Sequence, residues 1–230
     1  MTLDTEQQKR LAAVTAARLV QDGDIVGLGS GTTAAFLLEA LAVRCREGLR
    51  FTAVPTSDDT ARCAARFGLT LAALDDYPEL DIDIDGADEV DPALSLIKGL
   101  GGALLREKLV ARAARRFVVV VDERKPVQRL GERARVPVEV IPFGWTHTRA
   151  ALQRLGSEAE LRGAEQPFRT DGGNYILDCR FADLSDPAPI AAAVKAVTGV
   201  VEHGLFLGMA SEVLIGRADG TVERLRVDRT

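Results

Sequence analysis

The chain has 230 residues, of which 47% are hydrophobic and 27% charged, as in an ordinary globular protein with one large domain or two small ones. Its formal net charge of -5 disfavours broad binding to nucleic acid or to an anionic membrane, because both need a basic face. The longest stretch without a charge, residues 25–38, is too short to cross a bilayer, and no signal-peptide pattern opens the sequence. We therefore expect a cytoplasmic protein with no membrane partner.

Strands alternate with helices along the first half of the chain. A polar start and a glycine stop predict a helix over 4–21. Short apolar runs then predict strands, and longer periodic stretches between them predict helices. The predicted strands are 25–28, 51–54, 70–74, 81–85 and 117–121, and the helices are 34–46, 58–67 and 103–115. This alternation predicts a Rossmann-like, mostly parallel sheet with helices on both faces.

The order of elements changes after residue 122. Strands are predicted at 136–141, 158–162, 175–181 and 200–202, with helices at 148–155 and 189–197. The resulting β-α-β-β-α-β order is typical of a ferredoxin-like α+β unit. Three further strand-like segments, 205–207, 212–215 and 222–227, are expected to return to the first sheet.

These patterns together predict an α/β fold with an inserted domain. We expect residues 1–129 plus 204–230 to form an α/β catalytic domain and residues 130–203 to form a ferredoxin-like α+β insertion. The sequence leaves open whether the insertion serves as a dimer contact or as a cover for the active site.

Cysteine and histidine are scarce. Cys45, Cys63 and Cys179 are far apart and odd in number, which excludes a disulfide framework and a thiolate zinc site. Any catalysis of the Ser-His-Asp or Cys-His type would depend on His147 or His203 alone. The chemistry is therefore expected to use carboxylates and lysines.

A glycine-rich loop follows the first predicted strand. The segment Gly27-Leu28-Gly29-Ser30-Gly31-Thr32-Thr33 leads into a helix, whose N–H groups and positive dipole end favour an anion such as a phosphate. It is not a P-loop, and no acidic residue ends the next strand as a dinucleotide site would require. The structural alternative is a tight turn that needs glycine.

A second cluster, Asp81-Ile82-Asp83-Ile84-Asp85-Gly86-Ala87-Asp88-Glu89-Val90-Asp91, begins on a predicted strand. Ligands of open α/β sheets bind at the carboxyl ends of strands, which makes Asp85 and Asp88 candidates. They could hold Mg²⁺ through hard oxygen ligands, exchange protons with substrate hydroxyls, or cap turns. Asp81, Glu89 and Asp91 are expected to be solvated or to cap backbone.

A third cluster, Lys98-Gly99-Leu100-Gly101-Gly102-Ala103-Leu104-Leu105-Arg106-Glu107-Lys108, opens the next predicted helix. Glu107 is either a surface residue paired with a neighbour or, if it faces the cleft, a general base. Lys98 could stabilise an oxyanion, and Lys125, after the following strand, could neutralise a phosphate.

The three clusters, in this order and spacing, resemble those of the ribose-5-phosphate isomerase A family. The resemblance covers nearly the whole chain. It rests on GLGSGTTA at 27–34, DGADEVD at 85–91, KGLGGALLREK at 98–108, PVEVIP at 137–142, DGGN at 171–174 and GVVEHGLF at 199–206. It implies interconversion of ribose 5-phosphate and ribulose 5-phosphate in the pentose phosphate pathway, without metal or cofactor, by a homodimer or tetramer.

The resemblance also implies roles for individual residues. Glu107 would move a proton between C1 and C2 through an enediolate, Asp85 would assist ring opening, and Lys98 would stabilise the oxyanion. Asp88 would hydrogen-bond the sugar hydroxyls. The remaining substrate-binding residues would be Ser30, Gly31, Thr32, Thr33, Gly86, Ala87, Gly99, Leu100, Gly101 and Lys125. The family usually has glycine where this chain has Leu100.

Two other functions compete with this one. Asp83-Ile84-Asp85-Gly86 resembles the DxDG motif of Mg²⁺-dependent phosphohydrolases, although that motif usually follows the first strand of its domain. A non-catalytic sugar-phosphate sensor is the second alternative. Such sensors commonly carry a DNA-binding helix pair, for which this acidic chain has no room before Ile25.

Overall fold

A computed structural model describes residues 2–163 and 165–226, which form two compact units. Of the described residues, the first unit contains 2–87, Arg106–Lys125 and 209–226, and the second contains Asp88–Leu105 and the described part of Pro126–Gly208. None of the helices in the described ranges is long and apolar enough to span a membrane.

Both units combine strands with helices. The strands are β1 (Ile25–Leu28), β2 (Thr52–Pro55), β3 (Ile82–Asp85), β4 (Glu89–Val90), β5 (Leu96–Ile97), β6 (Phe117–Asp122), β7 (Val136–Val140), β8 (Ser157–Leu161), β9 (Tyr175–Phe181), β10 (Val200–His203), β11 (Leu205–Phe206), β12 (Glu212–Gly216) and β13 (Val222–Arg226). The helices are α1 (Thr5–Ala17), α2 (Gly31–Arg46), α3 (Asp58–Arg66), α4 (Leu104–Ala113), α5 (Trp145–Arg154) and α6 (Pro187–Lys195), with a 3₁₀ turn at Leu74–Asp76.

The first unit is built on a six-stranded sheet in the order β13-β12-β6-β3-β1-β2. Its strands pair in parallel except for the β12–β13 hairpin at one edge. Every residue of β6 is buried, as expected for a parallel strand covered on both faces. Because Leu28 of β1 lies beside Ile84 of β3, the loops that follow these two strands are neighbours at the carboxyl edge of the sheet.

Helix ends in the first unit are set by local side-chain caps. Asp4 accepts the N–H of Gln7, and the Gln7 side chain accepts the N–H of Asp4, which forms a capping box at the start of α1. Ser57 caps α3 by accepting the N–H of Thr60. Buried alanines, Ala12, Ala13, Ala16 and Ala17, place α1 in the main hydrophobic core.

The second unit contains the predicted ferredoxin-like module. Its four-stranded antiparallel sheet has the order β10-β7-β9-β8, which is the spatial order that the β-α-β-β-α-β motif adopts. Apolar side chains from this sheet and from α5 and α6, among them Val138, Leu152, Leu177 and Val194, form its core. The predicted fold class, a mostly parallel sheet with a ferredoxin-like α+β unit, is confirmed.

Two of the predicted strands differ from the structure. Segment 70–74 contributes a single bridge between Leu71 and Ala53 before the chain enters the 3₁₀ turn. Segment 205–207 does not return to the first sheet, because β11 pairs antiparallel with β5, which in turn pairs with β4. Residue 227, the last of the predicted strand 222–227, lies outside the described residues.

The two compact units and the predicted domains divide the chain differently at 88–105, at 126–129 and at 204–208. In the structure all three segments group with 130–203. The buried carboxylate of Glu89 accepts hydrogen bonds from the N–H groups of Gly131, Arg133 and Ala134, at 2.6 to 2.7 Å. These bonds and the β5–β11 pairing attach 88–105 to the second unit, while the domain division itself stays a prediction.

Candidate active site

Asp85 lies at the carboxyl end of β3, next to the loop that follows β1. Its Oδ1 accepts the N–H of Ser30 at 3.1 Å and the N–H of Gly86 at 2.6 Å. A Cβ atom at Gly29 would collide with the Asp85 carboxyl group, so glycine at 29 is required for this approach. The predicted neighbourhood of the first two clusters is thus present in the first unit.

Glu107 joins the same group from α4. It lies in the first turn of the helix and only 4% of its surface is exposed. The Ser30 hydroxyl donates a hydrogen bond to Glu107 Oε1 at 2.5 Å. Ser30 therefore contacts both carboxylates, through its N–H and through its hydroxyl. The surface alternative for Glu107 is excluded by its burial.

Two threonine hydroxyls form hydrogen bonds to the backbone of the loop that carries Ser30. Thr56 Oγ1 donates to the carbonyl of Leu28 at 3.0 Å, and Thr60 Oγ1 donates to the carbonyl of Gly29 at 2.9 Å. Helix α2 begins at Gly31, whose φ of +80° suits glycine. Ser30 makes no side-chain hydrogen bond to the first turn of α2, and an anion bound at this helix start would meet the N–H groups of Gly31, Thr32 and Thr33.

Lys9 is a cation near this loop that the sequence patterns did not single out. Its Nζ donates to Thr32 Oγ1 at 3.1 Å and lies 4.0 Å from Asp122 Oδ2. Lys125 follows β6 and is half-buried, with its N–H bonded to the Asp122 carbonyl at 3.1 Å. Lys9 lies on α1, far from every cluster in sequence, so only the packing of α1 reveals it.

The second unit holds Asp88 and the loop at 98–102. Lys98 is 2% exposed, and its ammonium lies 5.6 Å from the centre of the Phe206 ring. The N–H of Leu100 donates to Asp88 Oδ2 at 3.0 Å. Leu100 makes this backbone contact with an ordinary negative φ, whereas Gly99 has a φ of +103°. The leucine is therefore compatible with the loop, and the N–H of Gly102, bonded to the Gly99 carbonyl, closes the turn beyond Gly101.

The other acidic residues of the second cluster have structural contacts. Asp81 Oδ2 accepts the N–H of Ile25 at 2.8 Å, and Asp91 Oδ1 accepts the N–H groups of Ala93 and Ser95. The expectation that these residues are solvated or cap backbone is therefore met by backbone capping in both, and also in Glu89, which is only 1% exposed. Burial raises the pKa of Asp91 above its usual value, although its two backbone hydrogen bonds lower it. Gly86 and Ala87 connect Asp85 to Asp88.

The carboxylates of the acidic cluster at 81–91 are of the type that can bind magnesium. Within 2–163 and 165–226, no group of three His, Cys, Asp or Glu side chains is arranged so that it could hold a metal ion. Asp83, the first carboxylate of the DxDG pattern, is fully buried in β3 beneath Gly27.

The model of the family "Ribose 5-phosphate isomerase A (phosphoriboisomerase A)" matches residues 52–220. This chain belongs to that family. A ribose-5-phosphate isomerase A of Gloeobacter violaceus is 52% identical over 220 residues, which cover 95% of this chain and 96% of the relative. The relative from Gluconobacter oxydans is 51% identical over 221 residues, which cover 94% of this chain and 96% of the relative. The resemblance found in the sequence is confirmed.

Solved structures of family members have the same fold. A D-ribose-5-phosphate isomerase in complex with phospho-erythronic acid superposes with a TM-score of 0.94, at 37% identity over 98% of this chain and 100% of that one. The ribose 5-phosphate isomerase A structure from Methanocaldococcus jannaschii gives a TM-score of 0.92 at 40% sequence identity. The match covers 96% of this chain and 99% of that chain. The α/β sheet and the ferredoxin-like unit are therefore the architecture of the family.

Proposed function

We propose that this protein interconverts D-ribose 5-phosphate and D-ribulose 5-phosphate through an enediolate, with Glu107 as the group that carries the proton. The observation that carries this proposal is the position of Glu107. It is buried in the first turn of α4 and hydrogen-bonded by Ser30, which also contacts Asp85. A carboxylate fixed in this way can reach two adjacent carbons of a bound sugar with little reorganisation.

The proton balance assigns a role to each carboxylate. The Glu107 carboxylate removes the proton from C2 of the open-chain aldose and returns it to C1, while a proton passes from O2 to O1. Asp85 handles the proton of the ring oxygen during opening. Lys98 stabilises the negative charge that develops on the oxygens, and Asp88 binds sugar hydroxyls. The hydrogen bond from Leu100 N–H to Asp88 supports this assignment because it fixes the carboxylate next to the Lys98 loop.

The phosphate is assigned to the start of α2. The N–H groups of Gly31, Thr32 and Thr33, the Thr32 and Thr33 hydroxyls and the helix dipole favour a dianion there. The Nζ–Thr32 hydrogen bond of Lys9 supports this residue as a counter-charge. Lys125 is assigned the same role as a counter-charge to the phosphate. The sugar hydroxyls are assigned to residues of the other two loops, namely Gly86, Ala87, Gly99, Leu100 and Gly101. Remote binding energy from the phosphate then serves the chemistry at C1 and C2.

The remaining parts of the assignment extend the same proposal. The reaction uses no metal and no cofactor, and the protein acts in the cytoplasm as a homodimer or tetramer. The ferredoxin-like insertion at 130–203 is a separate domain. A phosphohydrolase would need an accessible nucleophilic carboxylate, and the complete burial of Asp83 argues against it.

Turnover of ribose 5-phosphate in EDTA, by the wild type, Glu107→Gln and Glu39→Gln, tests the proposal. We expect Glu107→Gln to lose about 10² to 10⁴-fold in kcat, as when a general base is removed, and to keep its melting temperature and its affinity for phospho-erythronic acid. Glu39 lies on the exposed side of α2 in an ion pair with Arg10, so Glu39→Gln should behave as wild type. Wild-type inactivity in EDTA, or full activity of Glu107→Gln, would contradict the proposal.

A further inference from the structure

An arginine of the ferredoxin-like module holds the backbone of the loop that carries Lys98. Arg162 directly follows β8, and its Nη1 donates to the carbonyl oxygens of Gly99 and Leu100 at 3.1 and 2.9 Å. These are the two residues that follow Lys98. Their peptide planes set the direction of the chain at Lys98 and present the Leu100 N–H to Asp88.

Arg162 is itself held in one orientation by Asp178 of β9. Its Nε donates to Oδ2 at 2.9 Å and its Nη2 to Oδ1 at 2.5 Å, which is a two-point ion pair. The two side chains are only 16% and 20% exposed. Because the guanidinium is planar and rigid, this pair determines where Nη1 points. A lysine has three N–H donors on a single nitrogen, so it cannot reproduce the two-point pair with the carboxylate while it also reaches both carbonyls.

The same loop also packs against an aromatic side chain. The Phe168 ring lies 5.7 Å from the Arg162 guanidinium carbon, and a Cβ atom at Gly102 would collide with that ring. The N–H of Phe168 donates to the Arg162 carbonyl at 3.0 Å, which ties the two residues together. The turn at 99–102 is therefore held at its carbonyls by Arg162 and at Gly102 by Phe168.

We propose that Arg162 is a positioning residue of the isomerase, which acts through the Gly99 and Leu100 peptides on Lys98. The proposal rests on the function proposed above for Lys98. The four-stranded sheet then supports the site indirectly, because Arg162 at the end of β8 and Asp178 of β9 form the ion pair that sets the geometry of the Lys98 loop. A shift of about 1 Å at Lys98 is enough to reduce the rate substantially.

Steady-state kinetics of Arg162→Lys, Asp178→Asn, Lys98→Ala and the Arg162→Lys/Lys98→Ala double variant test the proposal. We expect Arg162→Lys to lower kcat about 10- to 100-fold and to change KM by less than about threefold. Asp178→Asn keeps the shape of the pair and should show the same pattern more weakly. Arg135→Lys is the matched control, since Arg135 pairs with Glu160 on the same sheet, with Nη1 and Oε2 2.7 Å apart, and should retain wild-type kinetics.

The double variant separates positioning from general stability. If Arg162 acts through Lys98, Arg162→Lys should cost little further kcat once Lys98 is alanine. Fully additive losses, an unchanged kcat with a raised KM, or an equal loss in Arg135→Lys would overturn the proposal. If Arg162→Lys does not fold, Asp178→Asn takes its place in the test. Its loss of kcat, alone and in combination with Lys98→Ala, is then judged by the same criteria. Unchanged kcat in Lys98→Ala would instead contradict the role proposed for Lys98.

Discussion

The hydroxyl of Ser30 donates a 2.5 Å hydrogen bond to Oε1 of Glu107, while the N–H of the same residue donates to Asp85. Ser30 thus connects the glycine-rich loop after β1 to the two carboxylates assigned to proton transfer. We expect Ser30→Ala to lower kcat about tenfold, because Glu107 loses the group that orients it, and to leave the melting temperature within about 2 °C of wild type.

The measurement is kcat and KM for ribose 5-phosphate, with Ser185→Ala as control. Ser185 is exposed in the second unit, far in sequence from every proposed site residue. An unchanged kcat in Ser30→Ala would show that Glu107 is oriented without this hydrogen bond.

Lys9 should affect binding more than chemistry. Because its Nζ is bonded to Thr32 at the start of α2, Lys9→Ala should raise KM about tenfold and change kcat little, since the phosphate does not react. Phospho-erythronic acid affinity should fall in parallel. Lys195→Ala removes a lysine that pairs with Glu202 and should be neutral. A fall in kcat at constant KM would instead place Lys9 near the reacting carbons.

Several parts of this site were predictable from the sequence because they depend on local chemistry. Strand, glycine loop and helix follow one another around Ser30, and the carboxyl end of a later parallel strand, at Asp85, is expected at the same edge of the sheet. Glu107 could be placed in the first helical turn from its distance to the glycines. The alternation of strands and helices was enough for the fold class.

Other parts depend on tertiary packing that the sequence does not display. Lys9 reaches Thr32 only because α1 packs into the core beside α2, and Arg162 reaches the Lys98 loop only through the register of β8 with β9. The two-residue strands β4 and β5 are too short to give a periodic pattern. Segment 70–74 has the composition of a strand, but only Leu71 forms a bridge.

Gly29→Ala should damage both stability and catalysis. A methyl group at this position would overlap the Asp85 carboxyl group, so either the loop or Asp85 must move. Such overpacking typically costs about 1–3 kcal/mol of unfolding free energy, and displacement of Asp85 should reduce kcat at least tenfold. Urea unfolding and kcat measure the two effects. Gly172→Ala is the control, since a Cβ atom at Gly172 would lie at an ordinary 3.5 Å from its nearest neighbour. Wild-type stability and kcat in Gly29→Ala would show that the loop can shift without loss of either.

Glu212 should make stability depend on acid pH. Burial raises the pKa of this carboxyl, but hydrogen bonds and charge from Arg224, Arg116 and Arg226 outweigh burial and hold the pKa below its usual 4.5. The carboxylate on β12 accepts the Arg224 Nε at 2.5 Å and the Arg226 Nε at 3.2 Å, and it also pairs with Arg116. A lowered folded-state pKa means that its contribution is fully present above about pH 4.5 and is lost as the pH falls through the folded pKa.

Glu212→Gln should therefore lower the free energy of unfolding by about 1–3 kcal/mol at pH 7, where charge-assisted hydrogen bonds are lost. The gap between wild type and variant should narrow as the pH is taken below 4.5, because protonation removes the same charge from the wild type. Urea unfolding at neutral and acid pH measures this difference. Glu158→Gln, at an exposed position of β8, serves as control and should be neutral at both. A gap that stays constant with pH would show that Glu212 contributes through packing rather than through its charge.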